Sequence, residues 1–150
     1  MKPVVEYTSV RFIKKVKARN KFKAIEELAQ VFEGADVCGE ARELVQALKE
    51  REQIMSTGIG FGIAIPHARI NSVREMVFAV GISKKGIDFD SIDSKPVNLI
   101  ILVAAGERQH KEYLKLLSSI MAVLKKAGVK DRIINASSSS EILTILTDQQ

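Results

Sequence analysis

Of the two histidines in the chain, His67 has the more telling surroundings: it follows Pro66 directly, and the run Ile63, Ala64, Ile65 leads into the proline. Proline lacks an N–H and forces the residue before it away from helical geometry. The apolar run is therefore expected to be a buried strand that Pro66 stops, with His67 rigidly aimed from its end. Just upstream, Gly58, Gly60 and Gly62 alternate with Ile59, Phe61 and Ile63. In extended form this leaves one face bare and one apolar, with backbone amides open to close approach. Exposed amides of that kind favour anions. An imidazole beside an anion-binding backbone suits phosphoryl transfer, in which catalysis is mostly positioning and charge stabilisation.

Other chemistries fit less well. The glycines do not have the G-x-G-x-x-G spacing of a dinucleotide loop running from strand to helix, and no Walker lysine is present. Cys38 has no histidine near it in sequence, and there is no G-x-S-x-G elbow. His67 and His110 lack metal-ligand spacing, so a zinc site would need further ligands that the pattern does not offer. His110 taken alone reads as an ordinary surface histidine.

Composition bounds the rest. The 150 residues are 46% hydrophobic and 27% charged, as expected of one soluble globular domain. There is no apolar run of signal-peptide or bilayer-spanning length, and the single cysteine fits a reducing compartment; both point to the cytoplasm. The net charge is +5, much of it in Arg11, Lys14, Lys15, Lys17, Arg19, Lys21 and Lys23. With Phe12 and Phe22 as the only interleaved aromatics and no binding motif, a solvated basic face is favoured over a nucleic-acid footprint. An acidic protein partner is a third reading of the same patch.

The elements that must hold His67 follow from hydrophobic periodicity. Residues 4–16 alternate weakly and predict an edge strand guarded by lysines. Phe22, Ile25, Leu28, Ala29 and Phe32 predict a helix ending near Gly34. A second helix, with Leu44, Val45 and Leu48 inward, follows Gly39 and ends at Arg51 and Glu52, delivering the chain to the glycines. Residues 76–82 predict a strand, Lys84-Lys85-Gly86 a turn, 87–89 a short returning strand, and Asp93 to Pro96 another turn. The continuous apolar run 97–104 predicts a strand covered on both faces. Residues 110–124 form the strongest helical pattern, with Leu114, Leu117, Ile120, Met121 and Leu124 as its inward stripe. A short helix at 129–136 and a serine-capped helix at 141–146 complete the chain. The sum is an α/β fold, a single domain with a mixed β-sheet and helices on both faces.

The segments Arg51-Glu52, Ser56-Thr57-Gly58-Ile59-Gly60 and Ala64-Ile65-Pro66-His67-Ala68 together resemble the active-site signature of enzyme IIA domains of the bacterial phosphoenolpyruvate-dependent sugar phosphotransferase system (PTS). The class is the mannitol/fructose one that includes the nitrogen-regulatory enzyme IIA. The resemblance covers nearly the whole chain, with KAIEELA, PVNLIILVAA, LKLLSSIMAVL and the terminal serine-capped helix in the family's order. It implies one enzyme IIA type-2 domain over residues 1–150, with a core of about 8–147, and the mannitol-type enzyme IIA fold. It also implies a phosphotransferase acting through a phosphohistidine, in which His67 takes a phosphoryl group from HPr and passes it to a cysteine of enzyme IIB. No cofactor or metal is needed, and the membrane is reached only indirectly, through enzyme IIC. Regulation of a partner protein through the phosphorylation state is the alternative role.

The resemblance extends to neighbouring residues. It maps a phosphoryl-stabilising arginine onto Arg51, which can also serve as a helix C-terminal cation. Glu52 is expected to orient Arg51 or cap a local amide. Thr57 is expected to give its hydroxyl to phosphate or to act as a turn residue, and Gly58 and Gly60 are to supply backbone. Where family members carry a second histidine before the first leucine of the long helix, this chain has Tyr113, with His110 one turn earlier; His110 could take the partner role, Tyr113 could donate a hydroxyl instead, or neither is needed. Met55 stands where a small residue is usual.

Overall fold

The computed structural model describes residues 2–149. Its centre is a pair of long antiparallel strands, β5 (Val77–Ile87) and β6 (Val97–Ala105), with β1 (Ile13–Lys15) parallel to β5 at the edge. On the other side of β6 lie β3 (Ile63–Ala64) and β4 (His67–Arg69), both parallel to it, and β2 (Gly58–Gly60) closes the far edge antiparallel to β3. The sheet is mixed, as expected.

The alternation of side chains across this sheet builds two separate cores. Leu99, Ile101 and Val103 of β6 face a layer made by α3 (His110–Leu124), α4 (Val129–Ile134) and α5 (Ser139–Asp148). Ile100, Leu102 and Ala104 face α1 (Lys21–Ala29) and α2 (Ala41–Ile54). Both faces of β6 are thus dry, which is why its sequence is a continuous apolar run rather than an alternating one. Each leucine or isoleucine so buried contributes roughly 1.5–3 kcal/mol. Asn20 caps α1 by accepting from the Lys23 amide, and Ser138 caps α5 by accepting from that of Glu141. No helix of the described residues is long and apolar enough to cross a membrane.

Several local expectations are corrected. Most of residues 4–16 is not strand: two short 3-10 turns occupy Val4–Tyr7 and Val10–Phe12, and only Ile13–Lys15 pairs with β5. Tyr7 is drawn inward instead, where its hydroxyl donates to Glu112 in the first turn of α3 at 2.6 Å. The lysine-lysine-glycine stretch does not reverse the chain. It lies inside β5, where a register shift between Ile82 and Ile87 absorbs Gly86 at φ 84°, and Asn98 Nδ2 donates across to the Ser83 carbonyl. Ile87 therefore pairs with Val97 and begins no separate strand. Helix α3 has the expected bounds but a rotated face: Tyr113, Leu116, Ile120, Val123 and Leu124 are buried, whereas Leu114 is 50% exposed. Leu117 and Met121 pack at the margin of that core.

Candidate functional site

Helix α2 ends where its last turn must find partners for its free carbonyls. Arg51 supplies one, its Nη1 donating to the carbonyl of Met55 at 2.8 Å. That bond fixes the guanidinium at the helix end and uses only one of its five N–H groups. The neighbouring Glu52 turns the other way, into the protein, and is 2% exposed. Its carboxylate accepts from the Thr57 amide at 2.9 Å and from the Thr57 hydroxyl at 2.5 Å, and Lys21 of α1 lies 3.5 Å away. Lys21 also pairs with Asp90 at 3.1 Å. Of the two roles expected for Glu52, capping an amide is the one its contacts fit. The Thr57 hydroxyl, expected to serve a phosphate or a turn, is 2.5 Å from the Glu52 carboxylate and buried.

The glycine segment is a hairpin and not the continuous extended stretch expected. Gly60, Phe61 and Gly62 have φ of 91°, 59° and 76°, so the chain reverses between β2 and β3. The amides are also occupied: that of Gly58 donates to Ser56 Oγ at 3.0 Å and that of Phe61 to the Asp93 carboxylate at 3.1 Å. Gly58 has a steric reason to be glycine, since an added Cβ would lie 2.2 Å from Ser91 Oγ and 3.1 Å from the Ser91 Cα. Phe61 is held between the Asp93 contact and a bond from Lys130 to its carbonyl, and its ring is 77% exposed.

Strand β3 ends just before Ile65 and Pro66, as the proline suggested, but pairing with β6 resumes directly after it. Ile63 pairs with Leu99 and His67 with Val103, the same offset on both sides of the proline, and the Val103 amide donates to the Pro66 carbonyl at 2.9 Å. His67 therefore opens β4 in continuous register along β6. Alternation sends Ile65 and His67 to the α3 face, while Ala64 and Ala68 enter the opposite core.

The imidazole is fixed by its own backbone. Nδ1 lies 2.8 Å from the Ile65 carbonyl, an oxygen that can only accept, so Nδ1 carries the proton and Nε2 bears the free lone pair. Burial pushes the pKa of His67 below the ordinary histidine value, and the Arg51 charge pushes in the same direction. The Ile65 bond and the Glu52 charge oppose them without reversing the shift. The ring is neutral at neutral pH and presents a nucleophilic nitrogen.

On α3, the side chain against the His67 ring is Tyr113, with ring centroids 5.7 Å apart at 52°. His110 is exposed at the start of that helix. Sequence reasoning missed Arg69. As the second residue after His67 in a strand it shares the same face, and its guanidinium lies 5.8 Å from the Tyr113 ring centre. The i, i+2 relation was available as a signal. Lys21, behind Glu52, gave no comparable one.

His67, Arg51, Thr57 and Gly58 line one groove of about 850 Å³, walled by Ile59, Ile63, Leu117, Met121 and Leu124. Glu52 lies behind it and Gly60 in the hairpin turn. Met55, Phe61 and Ile92 stand on the groove with 69%, 77% and 89% of their surface exposed. Large apolar side chains so concentrated are typical of surfaces that dock a protein, a membrane or a ligand. The arrangement offers a neutral imidazole nucleophile, a fixed guanidinium and an apolar rim. Among the described residues no group of three or more His, Cys, Asp or Glu is placed to hold a metal ion.

Known proteins resemble the chain in sequence and fold. The PTS system fructose-specific EIIABC component of Bacillus subtilis is 33% identical over 131 residues, which are 87% of this chain and 21% of that protein. The chain thus spans about a fifth of that relative's length. The crystal structure of nitrogen regulatory protein IIA-Ntr from Neisseria meningitidis superposes with a TM-score of 0.86 at 27% identity, covering 95% of this chain and 98% of that one. The complex of mannitol enzyme IIA with phosphorylated mannitol enzyme IIB from Escherichia coli contains a chain that superposes at 0.78 with 25% identity, covering 93% and 96%. Residues 6–149 match the family described as phosphoenolpyruvate-dependent sugar phosphotransferase system, EIIA 2. With that match over nearly its whole length, the chain belongs to the type-2 enzyme IIA family of this phosphotransferase system.

Proposed function

We propose that the chain is a cytoplasmic phosphocarrier in which His67 Nε2 receives a phosphoryl group from phospho-HPr and passes it to a cysteine of an enzyme IIB. One observation carries this reading: the Ile65 carbonyl holds the Nδ1 proton, leaving Nε2 as a neutral nucleophile at the edge of an apolar docking groove. The Nε2 lone pair forms the new N–P bond while the N–P bond of the donor's phosphohistidine breaks, its electron pair returning to the donor ring. Nδ1 keeps its proton, and the positive charge that develops on the His67 ring is offset by the phosphoryl oxygens. Arg51, with four N–H groups still available, draws the incoming oxygens into line. In the second step that N–P bond breaks in turn, its pair returns to Nε2, and the acceptor thiolate forms an S–P bond.

A regulatory role has an observation of its own, the match to nearly the entire length of a nitrogen regulatory protein. In that reading the same phosphorylation changes binding to a target, and no IIB acceptor is needed.

The test is incubation with phosphoenolpyruvate, enzyme I and HPr, read by intact mass. One acid-labile phosphoryl group, absent from His67→Ala, is the expected result. Wild type left unmodified by a competent HPr overturns the proposal. Adding a IIB then separates the roles, since transfer to its cysteine marks a transport carrier.

A further inference from the structure

A phosphoryl group on His67 brings roughly two negative charges at neutral pH. Arg51 offsets one of them. Lys21, behind Glu52, is engaged with the carboxylates of Glu52 and Asp90. Of the lysines that line the groove with His67, Lys126 and Lys130 each donate to a backbone carbonyl, of Gln149 and Phe61, and Lys125 is exposed.

The α3 side of the ring has groups for the second charge. Arg69 shares the face of β4 with His67 and is tethered, its Nη1 donating to the Glu107 carbonyl at 3.3 Å. Its guanidinium lies 5.8 Å from the Tyr113 ring centre, within reach of a cation–π contact. Tyr113 is 5% exposed, yet among the described residues its hydroxyl has no hydrogen-bond partner and still reaches solvent. Burial pushes its pKa up to about 12, with Arg69 and then Arg51 opposing the shift, so the hydroxyl is a donor at neutral pH. A buried tyrosine usually satisfies its hydroxyl. Here the donor is open, on a ring that packs against the nucleophile and feels the charges of both Arg69 and Arg51. Neither Arg69 nor Tyr113 lines the apolar groove, so docking of a protein there leaves both in place.

We infer that Arg69 and Tyr113 form a second arm of the phosphoryl site: the Tyr113 hydroxyl donates to an oxygen of the group on His67, and Arg69 neutralises its second charge. Both are positioning and charge-stabilising residues and neither exchanges a proton or a bond in the transfer. The inference rests on the phosphocarrier reading and adds to it a device that favours the phosphorylated form of this chain over that of its donor.

The decisive quantity is the equilibrium partition of phosphoryl between HPr and this chain, measured by intact mass for wild type, Arg69→Ala, Arg69→Lys and Tyr113→Phe. Charge-assisted hydrogen bonds are worth enough to shift such a partition by about tenfold. Arg69→Ala is expected to move it about tenfold toward phospho-HPr, Tyr113→Phe, which keeps the ring, by about threefold, and Arg69→Lys to recover part of the loss. Thermal unfolding of the unphosphorylated variants, expected to match wild type, separates this from a folding effect. A wild-type partition in both Arg69→Ala and Tyr113→Phe, with His67 still phosphorylated, overturns the second arm alone. A wild type that accepts no phosphoryl group on His67 overturns the carrier reading and this inference with it.

Discussion

Two basic regions lie toward opposite ends of β5 and β6, and they are built differently. Around His67, which pairs with Val103 opposite Phe78 near the start of β5, Arg51 and Arg69 are each tied to a backbone carbonyl and Lys21 to buried Glu52. Near the other end of β5, Lys15, Lys17, Arg19, Lys84 and Lys85 ring a second cleft. All five are exposed, and their side chains make no ion pair or hydrogen bond among the described residues. Cations gather at both regions. What separates them is fixation: a tethered guanidinium keeps its direction, whereas a free lysine spends rotamer entropy each time it orders on a ligand. Lysines along an edge strand also have the plain role of discouraging edge-to-edge pairing.

The comparison can be broken, starting where the largest effect is expected. Glu52→Ala strips both Thr57 groups of their partner and leaves Lys21 only its exposed partner Asp90. Breaking one side of a buried charged network costs about 3–5 kcal/mol, read as a lower denaturant midpoint. A loss below about 1 kcal/mol would mean that the network does not hold the hairpin. Next, Arg51→Ala is expected to slow phosphorylation by phospho-HPr on the order of a hundredfold, the scale of one lost charge-stabilising donor, with Arg51→Lys recovering only part. An unchanged single-turnover rate would remove Arg51 from the site. Gly58→Ala drives a methyl into Ser91 and is expected to destabilise by about 1–3 kcal/mol, measurable by thermal unfolding.

A graded effect comes from pH. Burial holds the pKa of folded His67 below the ordinary value of about 6.5. The rate at saturating donor should therefore be flat above pH 6.5 and fall only at lower pH, with its midpoint below 6.5. Stability follows the same sign: between the two pKa values the unfolded chain binds more protons, so the His67 contribution is full above 6.5 and is lost as pH falls through the folded pKa. A rate midpoint above 6.5 would contradict the desolvated ring. The smallest effect belongs to the other region. Lys84→Ala and Lys85→Ala should each change stability by less than about 0.5 kcal/mol and leave phosphorylation untouched.

Legibility in the sequence follows the same division between what periodicity encodes and what tertiary contacts add. The bounds of α3 were readable because its apolar residues persist over four turns. Its buried face was not, because the helix is apolar over a wide arc, with Leu114, Leu116, Leu117, Ile120, Met121, Val123 and Leu124, and period alone does not choose among them. Tyr113 has a polar tip, so its residue type does not assign it to the inward stripe, yet it is buried. The Lys84-Lys85-Gly86 stretch reads as a turn, yet pairing with β6 resumes beyond it. At the site, the signature from Arg51 to His67 was plain in residue types, and β4 alternation would have added Arg69. The Ile65 carbonyl that sets the tautomer is a backbone atom, and its reach to the ring two residues on depends on the path through Pro66, which residue types do not encode.

That carbonyl leads to the most direct measurement. In ¹⁵N-histidine-labelled protein phosphorylated through HPr, one-bond ¹⁵N–³¹P coupling identifies the nitrogen that bears phosphorus. Coupling at Nε2 of His67, with Nδ1 still protonated, is the predicted result. Coupling at Nδ1, or a phosphoryl group on His110, would contradict the account at its centre.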